Sequence, residues 1–294
     1  MTAKIFIQNA LLSMRPRQWV KNLFIFAALI FSQNLFNISL FIKTVSAGIL
    51  FCLISSCAYI INDLTDKKDD KFHPFKSKRP LVSGELNNFH AIILVALLTP
   101  VVLTLSYKLN FNFFVAITAY FLLQLFYSFL LKHAVILDVF SLAFGFVLRV
   151  VAGALIIDVK ISSWLLICTL LLTLFLALCK RRHELISLNE KAVRHRKSLR
   201  YYSPHLLDQM ISIVTASTFI SYILYTRSQE TIQKFQTEAL IFTTPFVLYG
   251  IFRYLYLVYK EDGGGAPDNI FLTDKALLIN SIFWLISVYI ILYF

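Results

Sequence analysis

The sequence predicts an all-α integral membrane protein, a bundle of about nine transmembrane helices with its polar chemistry gathered on the cytoplasmic face. Three observations predict it. Hydrophobic residues make up 58% of the 294, mean hydropathy is +0.72 and only 15% of residues are charged, where a soluble domain carries roughly a quarter. Apolar runs long enough to cross a bilayer recur along the whole chain. The basic residues behind the net charge of +12 sit in loops between those runs, a pattern of membrane topology and not of nucleic-acid binding. The chain reads as a single domain over residues 1–294.

Residues 1–18 form an interfacial N-terminal segment, with a short helix over 5–14 ended by Arg15-Pro16-Arg17. Trp19 and Lys21 anchor the entry to a first span at 19–36, the weakest because Gln33 and Asn34 shorten its apolar run. Clearer spans follow at 39–61, 89–107, 111–131, 134–157, 162–179, 209–226, 238–259 and 275–293. With the N-terminus inside, 21 of the 28 Lys and Arg residues fall on cytoplasmic segments and five outside. The remaining two, Arg149 and Arg253, lie within spans. That asymmetry predicts a multi-pass plasma (inner) membrane protein, N-terminus cytoplasmic and C-terminus outside. It also supports the weak first span, whose removal would put basic segments on opposite sides. The inner loops 62–88, 180–208 and 260–274 are long and charged, and chemistry belongs there. Cys52, Cys57, Cys168 and Cys179 form no C-x-x-C pair and read as buried thiols, not as a disulfide framework or zinc site. No small-residue cleavage site follows the first apolar run, so no removable signal peptide is expected.

Three constellations mark the inner face. In the first, Asn62, Asp63, Asp66 and Asp70 share about one quarter of a helix surface at 100° per residue. Crowded carboxylates repel unless a cation sits between them, and hard oxygens suit Mg²⁺ holding a phosphate. Lys76, Lys78 and Arg79 follow within ten residues, as bidentate and point-charge phosphate partners. The competing reading is a solvated acidic helix end, which the spacing alone does not exclude. In the second, Tyr127 and Lys132 end the fourth span and Asp138 lies about a turn into the fifth, where an acid lines a cavity or pairs with a cation. Lys132 is a partner for phosphate or for Asp138. The third is Lys180-Arg181-Arg182-His183-Glu184. On a helix Lys180, Arg181 and Glu184 share a face and Arg182 points away, although a stop-transfer charge cluster fits equally. Arg253 lies about two turns inside its span, a depth suited to an anion. Arg149 lies deeper and reads as structural, paired with a helix C-terminus or with Asp158. Gly263–Gly265 reads as a lid or as a plain linker.

These residues resemble the UbiA superfamily of intramembrane prenyltransferases over nearly the whole chain. The resemblance rests on Asn62-Asp63-x-x-Asp66-x-x-x-Asp70, Arg79-Pro80-Leu81-x-x-Gly84 and Tyr127-Ser128-x-x-Leu131-Lys132. Arg15-Pro16-Arg17-Gln18-Trp19-Val20-Lys21-Asn22, His73-Pro74, Lys132-His133 with Asp138, Lys180-Arg181-x-x-Glu184 and Arg253-Tyr254-Leu255-Tyr256-Leu257 are closer to its decaprenyl-phosphate phosphoribosyltransferase branch. The resemblance implies a UbiA-like bundle with a cytoplasmic-side active-site cavity. It further implies Mg²⁺-dependent transfer of 5-phosphoribose from phosphoribosyl diphosphate to a polyprenyl phosphate within the membrane lipid. Such a product is a lipid-linked pentose for cell-envelope polysaccharide. Asp63, Asp66 and Asp70 are then the metal ligands and, with Asp138, the catalytic carboxylates. Lys21, Asn62, Lys76, Lys78, Arg79, Tyr127, Lys132, Lys180, Arg181, Glu184 and Arg253 would bind substrate. One departure matters: aromatic-acceptor members carry a second D-x-x-x-D after span six, where this chain has Lys180-Arg181-Arg182-His183-Glu184. The alternatives are a prenyltransferase acting on an aromatic or tetrapyrrole acceptor and, from a different class, a transporter. The crowding of charge on one membrane face argues against the transporter.

Overall fold

The computed structural model describes residues 3–71, 76–188, 197–260, 270 and 273–294, and among these every regular element is a helix. The α-helices are α1 (Ala3–Ser13), α2 (Phe26–Phe31), α3 (Ile38–Asp70), α4 (Pro80–Ser83), α5 (Asn88–Leu109) and α6 (Phe111–Phe129). They continue with α7 (Leu137–Ile156), α8 (Ser163–Leu188), α9 (Pro204–Arg227), α10 (Gln229–Phe235), α11 (Thr244–Lys260) and α12 (Lys275–Tyr293). The chain forms two compact units, Met1–Lys160 with Val193–Ser198, and Ile161–Ala192 with Leu199–Phe294.

Helix starts follow local chemistry. Asn37, Asn87, Asn110, Ser203, Ser228 and Asp274 each accept a hydrogen bond from a backbone N–H in the first turn that follows, as capping side chains do. Among the described residues eight helices are long and apolar enough to cross a membrane. Exposed apolar side chains such as Leu97, Val101, Leu105, Ile213 and Phe283 line their outer surfaces, which suits lipid. The expected first span takes a different form. Pro16–Ile25 is 3-10 helix and only Phe26–Phe31 is α-helical.

In the first unit, α1 turns Asn9 and Ser13 inward and leaves Gln8 exposed. These two are buried while Ile5, Ile7, Leu11 and Leu12 are exposed. Helix α3 has 33 residues, about 50 Å at 1.5 Å per residue, against a hydrocarbon core of about 30 Å. It therefore carries Asn62–Asp70 as helix, and the inner loop expected from residue 62 begins only after Asp70. No Gly or Pro interrupts the stretch, and Lys67 and Lys68 in its last turn favour the helix dipole. Helix α8 likewise continues past residue 180 to Leu188. Met14, Ile60, Leu81, Leu86 and Ala91 form a buried cluster that seats the 80–86 turn against α3. Gly84, at φ +91°, supplies the left-handed turn that ends α4. Arg79 is thereby fixed at the start of that turn, facing the carboxylates.

In the second unit α8 packs on α9 and α11 on α12. Trp284 Nε1 donates to Tyr222 Oη at 2.9 Å, and the rings of Phe175 and Tyr254 meet edge-on at 5.3 Å.

Candidate active site

The end of α3 gathers the first unit's charges. Asp63 and Asp70 lie two helical turns apart on one face, and their side chains are only 2% and 4% exposed. Arg79 Nη1 donates to both, at 2.8 Å from Asp63 Oδ1 and 2.7 Å from Asp70 Oδ2. Arg15 adds a second cation to Asp63, and Lys76 Nζ lies 3.2 Å from Asp70. Burial and then the neighbouring Arg15 pull the Arg79 guanidinium below its ordinary value, while Asp63 and Asp70 oppose that shift. Among the described residues four cations thus meet the three motif carboxylates, because Asp66 pairs with Lys132.

Asp66 is held separately. Asn62 Nδ2 donates to Asp66 Oδ2 at 3.1 Å, and Ser128 Oγ donates to Asn62 Oδ1 at 3.3 Å. Lys132, buried in a 3-10 turn after α6, also donates to Thr65 Oγ1 at 3.2 Å. Of the two partners expected for Lys132, a phosphate or Asp138, Asp138 is not the carboxylate it meets: residues 131–133 turn its amine toward α3, so Asp66 takes it. Asp138 is fully buried in the first turn of α7. Ser198 Oγ lies 3.5 Å from its Oδ2 and 3.1 Å from the Lys132 carbonyl oxygen.

The remaining expected residues are placed as follows. Tyr127 is buried near the end of α6, Lys21 is half-buried on the 3-10 segment, and Lys78 is exposed. In the second unit Arg181 is buried and pairs with Glu184, as the shared helix face predicted. Arg182, expected to point away, donates to Asp208 at 2.5 Å and stacks 3.9 Å from the Tyr259 ring centroid. Lys180 is half-buried. Arg253 engages Asp274 through two hydrogen bonds of 3.2 and 2.7 Å, and these hold the Asp274 carboxyl below the usual carboxylate range. Arg149 does not pair with Asp158. Its partners are Asn22 Oδ1, the Gly145 carbonyl and Tyr120 Oη, each at 2.8 Å, because the guanidinium points across α7 toward the 3-10 segment. His73-Pro74 and Gly263–Gly265 lie outside the described residues. Arg15, Ser128 and Ser198 were not singled out from the sequence. Arg15 and Ser128 carry a signal, their places in the Arg15–Asn22 and Tyr127–Lys132 motifs, and Ser198 carries none.

Among the described residues no three Asp, Glu, His or Cys side chains gather as a metal-holding group. The donor chemistry nevertheless fits a hard divalent cation. Asp63 Oδ1 and Asp70 Oδ2 converge within 2.8 Å of one cationic nitrogen, and Mg²⁺ asks only one or two carboxylates beside phosphate and water.

A profile of the UbiA prenyltransferase family matches residues 22–282. The decaprenyl-phosphate phosphoribosyltransferase of Mycolicibacterium smegmatis is 31% identical over 301 residues, spanning 99% of this chain and 94% of that protein. The protein of the same name from Corynebacterium glutamicum is also 31% identical, over 96% of this chain and 86% of its own. A UbiA homolog from Archaeoglobus fulgidus, solved bound to GPP and Mg²⁺, shares the fold at a TM-score of 0.73 and 18% identity, over 97% of this chain and 100% of that one. The charged end of α3, the apolar helices and these likenesses together make the chain a membrane transferase that belongs to the UbiA prenyltransferase family.

Proposed function

We propose that the protein transfers 5-phosphoribose from phosphoribosyl diphosphate to a polyprenyl phosphate of the decaprenyl type, releasing diphosphate. The observation that carries this reading is the excess of cations on the α3 carboxylates. Arg15, Lys76, Arg79 and Lys132 meet Asp63, Asp66 and Asp70, which suits a donor richer in phosphate than a prenyl diphosphate. The names of the curated relatives support the same chemistry.

Asp63, Asp66 and Asp70 are the residues proposed to hold Mg²⁺, with Asn62 orienting Asp66. Bound there, the ion would neutralise charge building on the leaving diphosphate. Arg79, Lys76 and Arg15 would turn from carboxylate to phosphate oxygens, stabilising the same charge. The bond between ribose C1 and the diphosphate oxygen breaks, its electron pair leaving with diphosphate. A lipid phosphate oxygen forms the new bond to C1. That phosphate is already an anion at neutral pH, so no general base is needed. Asp138 supports positive character at C1, and Lys132 holds an approaching phosphate. In the second unit Lys180, Arg181 and Arg253 are proposed phosphate ligands, with Glu184 and Asp274 holding the two arginines between turnovers.

The proposed orientation keeps the N-terminus and the acid cluster cytoplasmic, which requires residues 16–31 to cross. At about 2.0 Å per residue for 3-10 and 1.5 Å for α-helix, ten plus six residues reach about 29 Å, close to the hydrocarbon thickness.

The test is incubation of purified protein and Mg²⁺ with polyprenyl phosphates and phosphoribosyl diphosphate, reading lipid products by mass. A lipid-linked phosphopentose is expected. Diphosphate release from a prenyl diphosphate with an aromatic acceptor, and none from phosphoribosyl diphosphate, would replace this reading by the aromatic prenyltransferase one.

A further inference from the structure

Ten consecutive residues, Pro16–Ile25, are 3-10 helix, although runs beyond about four are uncommon because their hydrogen-bond geometry is poorer. Contacts outside the segment therefore hold it. At three residues per turn, positions 19, 22 and 25 eclipse one another, whereas an α-helix would rotate each about 60° from the last. All three are seated on neighbouring helices. Trp19 Nε1 donates to Ser56 Oγ at 3.0 Å. Asn22 Nδ2 lies 3.2 Å from Cys52 Sγ and 3.3 Å from Ser55 Oγ. The backbone at Ile25 approaches Gly153 so closely that a Cβ there would overlap the Ile25 carbonyl oxygen.

Arg149 fastens this ladder from α7. Its Nε donates to Asn22 Oδ1 at 2.8 Å, and its head also lies against the rings of Tyr120 and Phe146. A cation buried in a span is costly and marks a function. Among the described residues its hydrogen-bond partners are neutral oxygens. At the other end of the ladder Arg15 adopts a left-handed backbone, φ 53°, which a non-glycine residue keeps only when its surroundings pin it. Its guanidinium lies 5.1 Å from the Tyr59 ring centroid and closes on Asp63.

We propose that Asn22, clamped by Arg149, sets the placement of Arg15 at Asp63, which makes Asn22 and Arg149 positioning residues for diphosphate binding at the end of α3. The ladder Trp19–Asn22–Ile25 transmits that placement through the eclipsed 3-10 turns. The inference rests on the reading of Asp63 and its neighbours as a metal–diphosphate site.

The test titrates Mg²⁺ with inorganic diphosphate into the full-length protein in lipid nanodiscs, followed by calorimetry. Asn22→Leu should raise the half-saturating concentration about tenfold, the scale of one hydrogen bond to a charged group. In an Arg15→Gln background the same change should add less than about twofold, because coupled residues are not additive. Trp19→Phe keeps the ring packing and serves if Asn22→Leu does not fold, with about threefold expected in the wild-type background for a weaker, neutral bond. Equal effects with and without Arg15, or binding insensitive to Asn22 and Trp19, overturn the inference alone. Wild-type protein that binds no Mg²⁺–diphosphate overturns the underlying reading, and the inference with it.

Discussion

Replacing Arg79 by methionine removes the cation that, among the described residues, Asp63 and Asp70 share, and the structure sets the size of the effect. Both carboxylates are nearly buried, at 2% and 4% side-chain exposure, and stripping one partner from a buried ion pair costs about 3–5 kcal/mol. Two features reduce that figure. Asp63 keeps Arg15 and Asp70 keeps Lys76, and the Arg79 side chain is 26% exposed, so solvent screens part of the interaction. A loss of about 2 kcal/mol is expected, or a drop of about 4–8 °C in the thermal midpoint. Intrinsic tryptophan fluorescence of the protein in detergent measures it. Added Mg²⁺ should then raise the midpoint of Arg79→Met more than that of wild type, because the ion fills the place the guanidinium left and ligands of the folded state stabilise it by mass action. A midpoint unchanged by the substitution, or an equal response to Mg²⁺ in both proteins, would refute the reasoning.

Three further outcomes are expected. Asp66→Asn should lower transfer at least about a hundredfold and should also lower the thermal midpoint, because buried Lys132 loses its charged partner; undiminished turnover would remove Asp66 from the site. The Arg253 hydrogen bonds lower the Asp274 carboxyl, so their stabilisation is present above the ordinary aspartate value and lost as pH falls through the lower folded one. Asp274→Asn should therefore be less stable than wild type at neutral pH, and the two should converge on acidification below about pH 3.9, as followed by unfolding midpoints against pH. Gly153→Ala should destabilise by about 1–3 kcal/mol through overpacking on the Ile25 carbonyl; a variant as stable as wild type in thermal unfolding would show that the 3-10 segment has room to move.

Much of this protein is legible along the chain. Hydropathy and the Lys and Arg distribution identify the long spans, because lipid demands about twenty apolar residues and an internally bonded backbone from each. The caps Asn37, Asn87 and Asn110 appear only in the structure, although their cause is equally local, a side chain reaching its own first turn. The spacing of Asn62, Asp63, Asp66 and Asp70 places them on one helix face, since helical phase is also a local property.

Partners were another matter. Lys132 takes Asp66 across 66 positions of sequence, and Arg149 takes Asn22 across 127; no period or local motif reports such a distance. The secondary structure of Pro16–Ile25 was hidden for the same reason. It reads as the end of an interfacial segment and the entry to the weakest span, whereas Ser55, Ser56, Gly153 and Arg149 on other helices favour three residues per turn. Thus the sequence by itself determined the membrane helices and the acidic face of α3, both set by local phase and by the solvent. Only the tertiary structure decided which cation meets which carboxylate, because ion pairs and buried hydrogen bonds act over a few ångströms between elements that the chain holds far apart.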